Sequence, residues 1–375
     1  MLEEKGATAT QEAISEEEVA EFLRKPCSLP NNLVITLCYF ADKDDAERCG
    51  QAVRFHLEIF GRVMDLSQLE QVFISFNYPE TLASIDRGVG ATQVIIPTAD
   101  DVATGIAMAP TVKRGDVWKS VIALNASYAR SLSYEPEDPS VETQQQLQAL
   151  RALTIHTIAH ECGHVHDHAM QMKHMGADTF LQKWAPVERY LKEPAMACWS
   201  EFMAEYLSAQ YGNAETLKGY EDGFCDRLKN AWPAITESIR HYRMHGNVER
   251  VLSEVSIQIR HVIVYAGYLF GYLAKTDVSL ADAAPKAATE INAHSEFASL
   301  IMELREGLMK LLDVYPKFAD LNVFNPLSDV VRELYNRAGF TFRENPDGSL
   351  HLDIPHRPDT MPTLAEQLAF RTGNL

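Results

Sequence analysis

The sequence predicts an α+β fold, with a small mixed sheet in its first third and a largely helical C-terminal half. Apolar runs of strand length, rich in Val, Ile and Phe, are concentrated in residues 33–125. Beyond an acidic, proline-containing linker at 128–142, the sequence has the apolar periodicity of helices to about residue 312. These patterns divide the chain into a tail at 1–18, an α/β part at 19–135, a helical part at 136–320 and a C-terminal helix and β-hairpin appendage at 321–375.

The composition excludes several classes of protein. With 375 residues, of which 46% are hydrophobic, the chain can bury a large core in one extended or two smaller domains. Its net charge of −18 argues against a surface for nucleic acid or for anionic membranes. The longest apolar run, at 262–274, is shorter than the about 20 residues that a membrane span requires. We therefore expect neither a nucleic-acid partner nor a membrane partner.

The N-terminus and the cysteines bear on the compartment. Residues 1–18 are acidic and lack the basic and then apolar pattern of a signal sequence, so we expect a disordered tail there. The six cysteines form no Cys-x-x-Cys pair and no small secreted framework. Unpaired cysteines of this kind suit a reducing compartment. These features together predict a cytoplasmic protein.

The α/β part contains five strand candidates and one long helix. A helix is expected at Asp42–Met64, where it opens on Asp and ends after Gly61. The turn residues Arg114-Gly115-Asp116 separate the last two strand candidates, which predicts a hairpin. The strand candidates are Leu33–Phe40, Gln71–Phe76, Gln93–Ile96, Thr104–Lys113 and Val117–Leu124.

The helical part begins with a stretch that contains His160-Glu161-x-x-His164. The residues before it lack Gly and Pro and have Leu at helical spacing, which predicts one long helix from near Pro139-Ser140 to about Met175-Gly176. Residues four apart on a helix lie on one face, about 5–6 Å from each other. Both imidazoles can therefore reach one metal ion.

Glu161 lies about 100° further round the helix than His160, so it falls beside such a metal rather than on it. Two histidines, a nearby carboxylate and an open coordination position are what a hydrolytic zinc site requires. The alternative is a histidine-rich helix face exposed to solvent.

A third protein ligand is expected from the helix predicted at Cys198–Ala209. Glu201 and Glu205 are four residues apart, so both carboxylates point the same way from a helix that is otherwise apolar. One carboxylate can bind the metal, and the other can accept a hydrogen bond from the far nitrogen of a ligand histidine. The alternative is an ordinary exposed pair of glutamates.

These two stretches resemble the zinc metallopeptidases of the gluzincin type. The resemblance rests on His160-Glu-Cys-Gly-His164 and on Glu201-Phe-Met-Ala-Glu205, which begins 37 residues later. Together with His156 and Ala209, these two stretches of sequence are most similar to those of the ImmA/IrrE-type intracellular metallopeptidases. The linker between the motifs is longer than in that group, and Glu205 stands where Asp or Asn is usual. The resemblance covers about 55 of the 375 residues.

The resemblance implies a zincin-like core with one Zn²⁺ per chain. His160, His164 and Glu201 would be the metal ligands, Glu205 the second carboxylate that supports a ligand histidine, and Glu161 the general base. The substrate would be a peptide or protein, cleaved internally by a zinc metalloendopeptidase. Two alternatives remain: a zinc-binding regulatory protein that does not hydrolyse, and a metal hydrolase acting on other bonds.

In zincins the strand before the active-site helix pairs with extended substrate, and Trp118–Ala126 is placed to be this cleft-edge strand. Its alternative is an interior strand without substrate contact. Oxyanion-stabilising candidates on a later helix are His241, Tyr242 and His245.

The predictions for the other residues near the motif are less specific. His156 and His168 diverge from the metal by about 40° per four residues, so they should line the cleft or face solvent. Asp167 is expected at the surface, with a hydrogen bond to a ligand histidine as the alternative. Cys162 is expected in the core facing away from the metal, and Cys198 as a small buried apolar residue, with a position near the site as its alternative. Helix breaks are expected near Pro186, Pro194, Gly212, Pro233, Gly246 and Asp277, and a solvated β-hairpin closed by Asp347-Gly348 at Phe340–Ile354.

Overall fold

The structure is a computed structural model that describes residues 15–88, 90, 94–97, 105–136, 140–294 and 296–372. Its strands are β1 (Val34–Cys38), β2 (Leu69–Ser75), β3 (Ala107–Met108), β4 (Thr111–Arg114), β5 (Val117–Asn125), β6 (Thr341–Glu344) and β7 (Leu350–Asp353). Its helices are α1 (Glu16–Arg24), α2 (Lys43–Phe60), α3 (Tyr78–Ser84), α4 (Ala126–Ala129), α5 (Val141–Met175), α6 (Pro186–Ser208), α7 (Ala214–His245), α8 (Val248–Thr276), α9 (Leu280–Ala283), α10 (Pro285–Ala293), α11 (Ala298–Val314), α12 (Asn325–Ala338) and α13 (Leu364–Arg371).

The predicted α+β class and the small mixed sheet are confirmed. Strands β1, β2 and β5 are parallel neighbours, while β3 and β4 pair antiparallel with the other side of β5. Alternate residues of β5 point to opposite faces, as the period of two requires. Ile122 and Leu124 pack toward α2 and α5, whereas Val121 and Ala123 pack toward α3.

Strand β5 is therefore an interior strand, and the prediction that Trp118–Ala126 forms the cleft edge is wrong. It pairs with β2 from Ser120 to Asn125 and with β4 from Val117 to Ser120. Both rows of its backbone hydrogen-bonding groups are thus occupied, which leaves no row for a substrate. On that side of the sheet, the outer position belongs to β3 and β4.

Two other strand predictions need correction. The single strand expected at Thr104–Lys113 is two short strands, because Pro110 lies between them and has no N–H for the ladder. Residues 94–97 form no strand, although Ile95 packs against the apolar cluster under α3. Gln93 and Thr104, the first residues of the two predicted strands, lie outside the described residues.

Helix α5 begins and ends where the sequence predicts. The side chain of Ser140 accepts a hydrogen bond from the Thr143 N–H at the N-cap, and Gly176, with φ +90°, stops the helix. Helix α7 likewise ends at Gly246 and α8 at Asp277, both in the left-handed region.

Two predicted breaks are absent, because α6 continues through Pro194 and α7 through Pro233. A proline removes one helical hydrogen bond, but the turns on both sides remain packed in one core. Leu191 and Ala195 flank Pro194 there, and Ala231 and Ile235 flank Pro233.

The two chain ends also differ from the predictions. The predicted tail is helical from Glu16, where Ser15 and Glu18 form a capping box; residues 1–14 lie outside the described part. The hairpin of β6 and β7 is confirmed, with Gly348 at φ +78° in its turn. It is not a solvated appendage, because Phe342 is buried against Tyr190 and Tyr335, and α12 lies in the main helical core.

Helix α6 lies between α5 and α8, and glycines permit both contacts. A Cβ placed on Gly163 of α5 would lie 2.8 Å from the Cα of Ala204. On the other side of α6, a Cβ on Gly271 of α8 would lie 2.3 Å from the carbonyl oxygen of Phe202. The backbones of the three helices therefore approach more closely than side chains would allow. No helix among the described ranges is long and apolar enough to cross a membrane.

Substitution of Gly163 by Ala tests the first of these contacts. The added methyl group must push α5 away from α6, so we expect Gly163→Ala to lower the free energy of unfolding by about 1–3 kcal/mol. Gly219→Ala is the matched control, because Gly219 lies exposed in α7 with open space around it. It should raise that free energy by about 0.5–1 kcal/mol. Urea unfolding of the two variants measures both changes, and equal stabilities would contradict the close contact.

Candidate metal centre

His160, His164 and Glu201 form a group that could hold a metal ion. The two histidine Nε2 atoms are 3.0 Å apart, and each lies 3.3 Å from Oε2 of Glu201. Ligands of a tetrahedral zinc ion at about 2.0–2.1 Å lie about 3.3 Å from one another. The three atoms therefore have the spacing of one face of such a site.

The chemistry of these atoms also fits a cation. Oε2 of Glu201 is buried and makes no well-aligned hydrogen bond to the described residues, and its nearest polar neighbours are the two histidine Nε2 atoms at 3.3 Å. Burial of an unsatisfied carboxylate oxygen costs free energy unless a proton or a metal ion compensates for it. The side chains of His160, His164 and Glu201 keep exposures of 12%, 13% and 21%, so the group is mostly buried but still reaches solvent. A small cation can enter, and a position facing solvent remains.

Each histidine of this group has a partner on its far nitrogen. Nδ1 of His160 lies 2.7 Å from Oε1 of Glu205, and Nδ1 of His164 lies 2.9 Å from the hydroxyl of Ser200. Such partners hold the rings and select the tautomer whose Nε2 lone pair faces the metal position. The sequence pointed to Glu205 by its spacing from Glu201, but Ser200 was missed because a single serine gives no pattern.

Glu161 follows the ligand residue His160 in α5, and the charges of His160, His164 and Glu201 act on its carboxyl. Its side chain is 6% exposed, and its Oε2 has no hydrogen-bond partner in the described part of the chain. Burial raises the pKa of this carboxyl, and the charges of His160 and His164 only partly oppose that change. A carboxylate with a raised pKa beside a metal position is suited to accept and return a proton.

The charges of the group are strongly coupled. Burial disfavours the charged form of His160, but Glu205 and Glu201 outweigh it and hold the pKa of His160 well above its usual value. Burial likewise opposes ionisation of Glu205, yet the neighbouring His160 and His156 lower its pKa to about 2. The pKa of Glu201 is lowered as well, because His164 and His160 outweigh its burial. Without a metal, the group therefore contains ionised glutamates and a protonated His160.

His156 and Asp167 are buried, contrary to expectation. His156 is 3% exposed, and its Nε2 lies 2.9 Å from the hydroxyl of Tyr220 on α7. Asp167 is fully buried, accepts a hydrogen bond from Gln171 and has a pKa raised by burial to about 6. Both predictions failed for the same reason. The sequence of α5 does not show which of its side chains other elements cover.

Nδ1 of His168 in α5 lies 3.2 Å from the hydroxyl of Thr111 in β4. Burial lowers the pKa of His168 to about 3, so this ring is neutral. Cys162 and Cys198 are both fully buried, as predicted, in the two apolar cores on either side of the site. Burial raises the pKa of each thiol, which keeps both protonated.

Tyr268 of α8 is a site residue that the sequence did not indicate. Its ring lies 5.8 Å from the ring of His160, and its hydroxyl contacts the carboxylate of Glu201. The predicted oxyanion candidates, His241, Tyr242 and His245, are wrong. They follow Tyr220 on the same helix by more than 20 residues, which places them about 30 Å from the site.

Comparison of the chain with protein-family models, with curated proteins and with solved structures found no match.

The two glutamates of α6 should differ in their effect on the metal. We expect the protein to bind about one zinc per chain and Glu201→Ala to lose most of it, since a ligand oxygen is removed. Glu205→Ala should weaken zinc affinity by about 10- to 100-fold, because it only frees the ring of His160. Zinc titration followed by elemental analysis of the dialysed proteins measures both effects. The opposite ranking would show that Glu205 is the ligand.

Metal binding should release a proton and strengthen with pH. His160 is protonated at pH 7 in the metal-free protein because its pKa is raised, and a metal ligand must be deprotonated. Zinc affinity should therefore fall as pH drops below the pKa of His160, with about one proton released per metal bound. Calorimetry at pH 7 in two buffers with different ionisation enthalpies gives this number. A binding heat that is the same in both buffers would contradict it.

Proposed function

We propose that this protein is a zinc-dependent metallopeptidase, with His160, His164 and Glu201 as the zinc ligands and Glu161 as the general base. The proposal rests on one observation above all. Three ligand atoms converge at zinc spacing, and the carboxyl of Glu161, which is buried and not needed as a ligand, interacts with the charges of all three side chains. A purely structural zinc site is closed by four protein ligands and has no use for such a carboxylate.

A bound zinc ion supplies a Lewis acid that polarises a carbonyl group and lowers the pKa of water toward about 7. The chain's own residues then have distinct tasks. Glu161 takes a proton from the attacking water and returns it to the leaving amine. Its raised pKa favours the first transfer, because a carboxylate that holds a proton more tightly is the stronger base.

Tyr268 is the donor best placed to stabilise the oxyanion. Its hydroxyl contacts Glu201 beside the metal position, and its ring is held by a flat stack on Tyr220, with centroids 5.5 Å apart. Burial and the surrounding glutamates raise the pKa of this hydroxyl, so it keeps its proton and can donate it in a hydrogen bond.

A peptide is the substrate class that the surroundings of the site favour. Strand β3 pairs with β5 on one side only among the described residues, so its outer backbone groups are available to an extended chain. The hydroxyl of Thr111, three residues beyond Met108, is hydrogen-bonded to His168 and so connects this edge to α5. Further along this edge, the N–H of Lys113 that faces away from β5 already donates to the carbonyl oxygen of Arg87. The available edge is thus short and close to the metal group.

All six cysteines are free thiols. This supports the cytoplasm, or another reducing compartment, as the place where the proposed peptidase acts.

Glu161→Gln distinguishes the peptidase from a zinc-binding regulatory protein. The change keeps the shape of the side chain and touches no proposed ligand, so zinc content and fold should be unchanged. Loss of a positioned general base typically lowers the rate by about 10²–10⁴-fold. Glu142→Gln, the same change at an exposed position of α5, is the control and should be silent. Cleavage of a set of unstructured proteins, read by mass spectrometry, measures the rate.

Two results would count against this assignment. Full activity of Glu161→Gln would reject Glu161 as the base. A zinc-loaded parent protein that cleaves none of the proteins in the set would favour the regulatory alternative.

A further inference from the structure

The carboxylate of Glu205 is fully buried and is surrounded by three polar side chains from two other helices. Nδ1 of His160 lies 2.7 Å from Oε1, and the hydroxyl of Tyr220 lies 2.5 Å from the same oxygen. Nε2 of His156 lies 3.3 Å from Oε2. His156 and His160 belong to α5, whereas Tyr220 belongs to α7. The carboxylate thus joins the metal group to a helix that provides none of its ligands.

The direction of these hydrogen bonds follows from the number of protons available. An ionised carboxylate only accepts, so Tyr220 must donate its single proton to Glu205. The Tyr220 oxygen can then only accept from His156, whose Nε2 is 2.9 Å away. His156 therefore has its proton on Nε2, and His160 donates from Nδ1. The Tyr220 hydroxyl and Nδ1 of His160 both face Oε1 of Glu205, which leaves Nε2 of His160 facing the metal position.

Helix α8 packs closely against Glu205. A Cβ placed on Gly271 would lie 2.9 Å from the Cβ of Glu205. The ring of Tyr220 lies between those of Tyr268 and Tyr272, with centroids 5.5 and 6.2 Å away. A buried carboxylate that accepts only a few hydrogen bonds depends strongly on each of them.

We propose that Tyr220 and His156 are positioning residues for the metal ligand His160 and that they act through Glu205. This inference rests on the metal site of the proposed function. Without the Tyr220 hydroxyl, Glu205 loses its shortest hydrogen bond and is free to turn away from Nδ1 of His160. The ring of His160 is then held less firmly, and its Nε2 no longer faces the metal position in every molecule.

Tyr220→Phe is the sharpest test, because it removes one hydroxyl and keeps the ring that stacks on Tyr268. We expect zinc affinity to fall by about 10- to 100-fold, the size usual for partners of metal ligands. We also expect the visible absorption bands of the Co²⁺-loaded protein to shift, because the position of one ligand changes. His156→Leu removes a donor one step further away and should cost less, below about 10-fold in zinc affinity.

Tyr272→Phe is the matched control. Tyr272 packs against Tyr220, but its hydroxyl donates to the backbone oxygen of Asn213 at the start of α7. Its loss can weaken the attachment of α7 without removing a donor from Glu205. Zinc titration, the Co²⁺ spectrum and urea unfolding of the metal-free protein should be measured for every variant. We expect Tyr272→Phe to leave zinc affinity and the Co²⁺ bands unchanged.

Each outcome bears on the proposal. Unchanged zinc affinity in Tyr220→Phe would overturn it, and so would an equal loss in Tyr272→Phe, which would indicate a merely structural role. If Tyr220→Phe does not fold, His156→Leu decides by the same two measurements. A parent protein that binds no zinc would overturn the proposed function as well, whereas a zinc-binding parent with an unaffected Tyr220→Phe would overturn this inference alone.

Discussion

The close contact of α5 with α6 at Gly163 and Ala204 is the constraint on which the site depends. Gly163 lies next to His164, and Ala204 lies next to Glu205, so the distance between these two backbones determines whether carboxylates and imidazoles meet. With a longer separation, the 2.7 Å contact of His160 with Glu205 would be lost. Helix α8 makes a similar contact on the opposite side of α6 through Gly271. Backbone packing thus brings polar chemistry into a core that is otherwise apolar.

That arrangement has an electrostatic consequence. Three glutamates and two histidines lie together in a mostly buried group, and buried charges are costly unless they are paired and hydrogen-bonded. Glu201 and Glu205 are paired with histidines, and their pKa values are lowered. Glu161 is not paired, and its pKa is raised by burial. A carboxylate suited to bind a cation and one that lies against a histidine thus neighbour one suited to move a proton, although all three are the same residue type. Their surroundings determine the difference.

The sequence predicted the fold well where the signal was local. The bounds of α5, the turn at Gly348 and the ends of α7 and α8 follow from capping residues and glycine conformations within a few positions. It failed where a distant contact overruled a local preference. Pro194 and Pro233 remain inside helices because packed turns lie on both sides, and β5 became interior because β3 and β4 cover it. No local pattern shows which strand lies outermost in a sheet.

For the site, the sequence by itself determined which residues share a helix face. The spacing of four between His160 and His164, and between Glu201 and Glu205, follows from the helical period alone. Only the tertiary structure decided how the two faces meet, that Glu205 supports His160, and that Glu161 is buried. It also added Tyr220 and Tyr268, which come from α7 and α8 and belong to no motif. The physical reason is range: periodicity acts within one helix, whereas burial and hydrogen-bond partners depend on helices far apart in the chain.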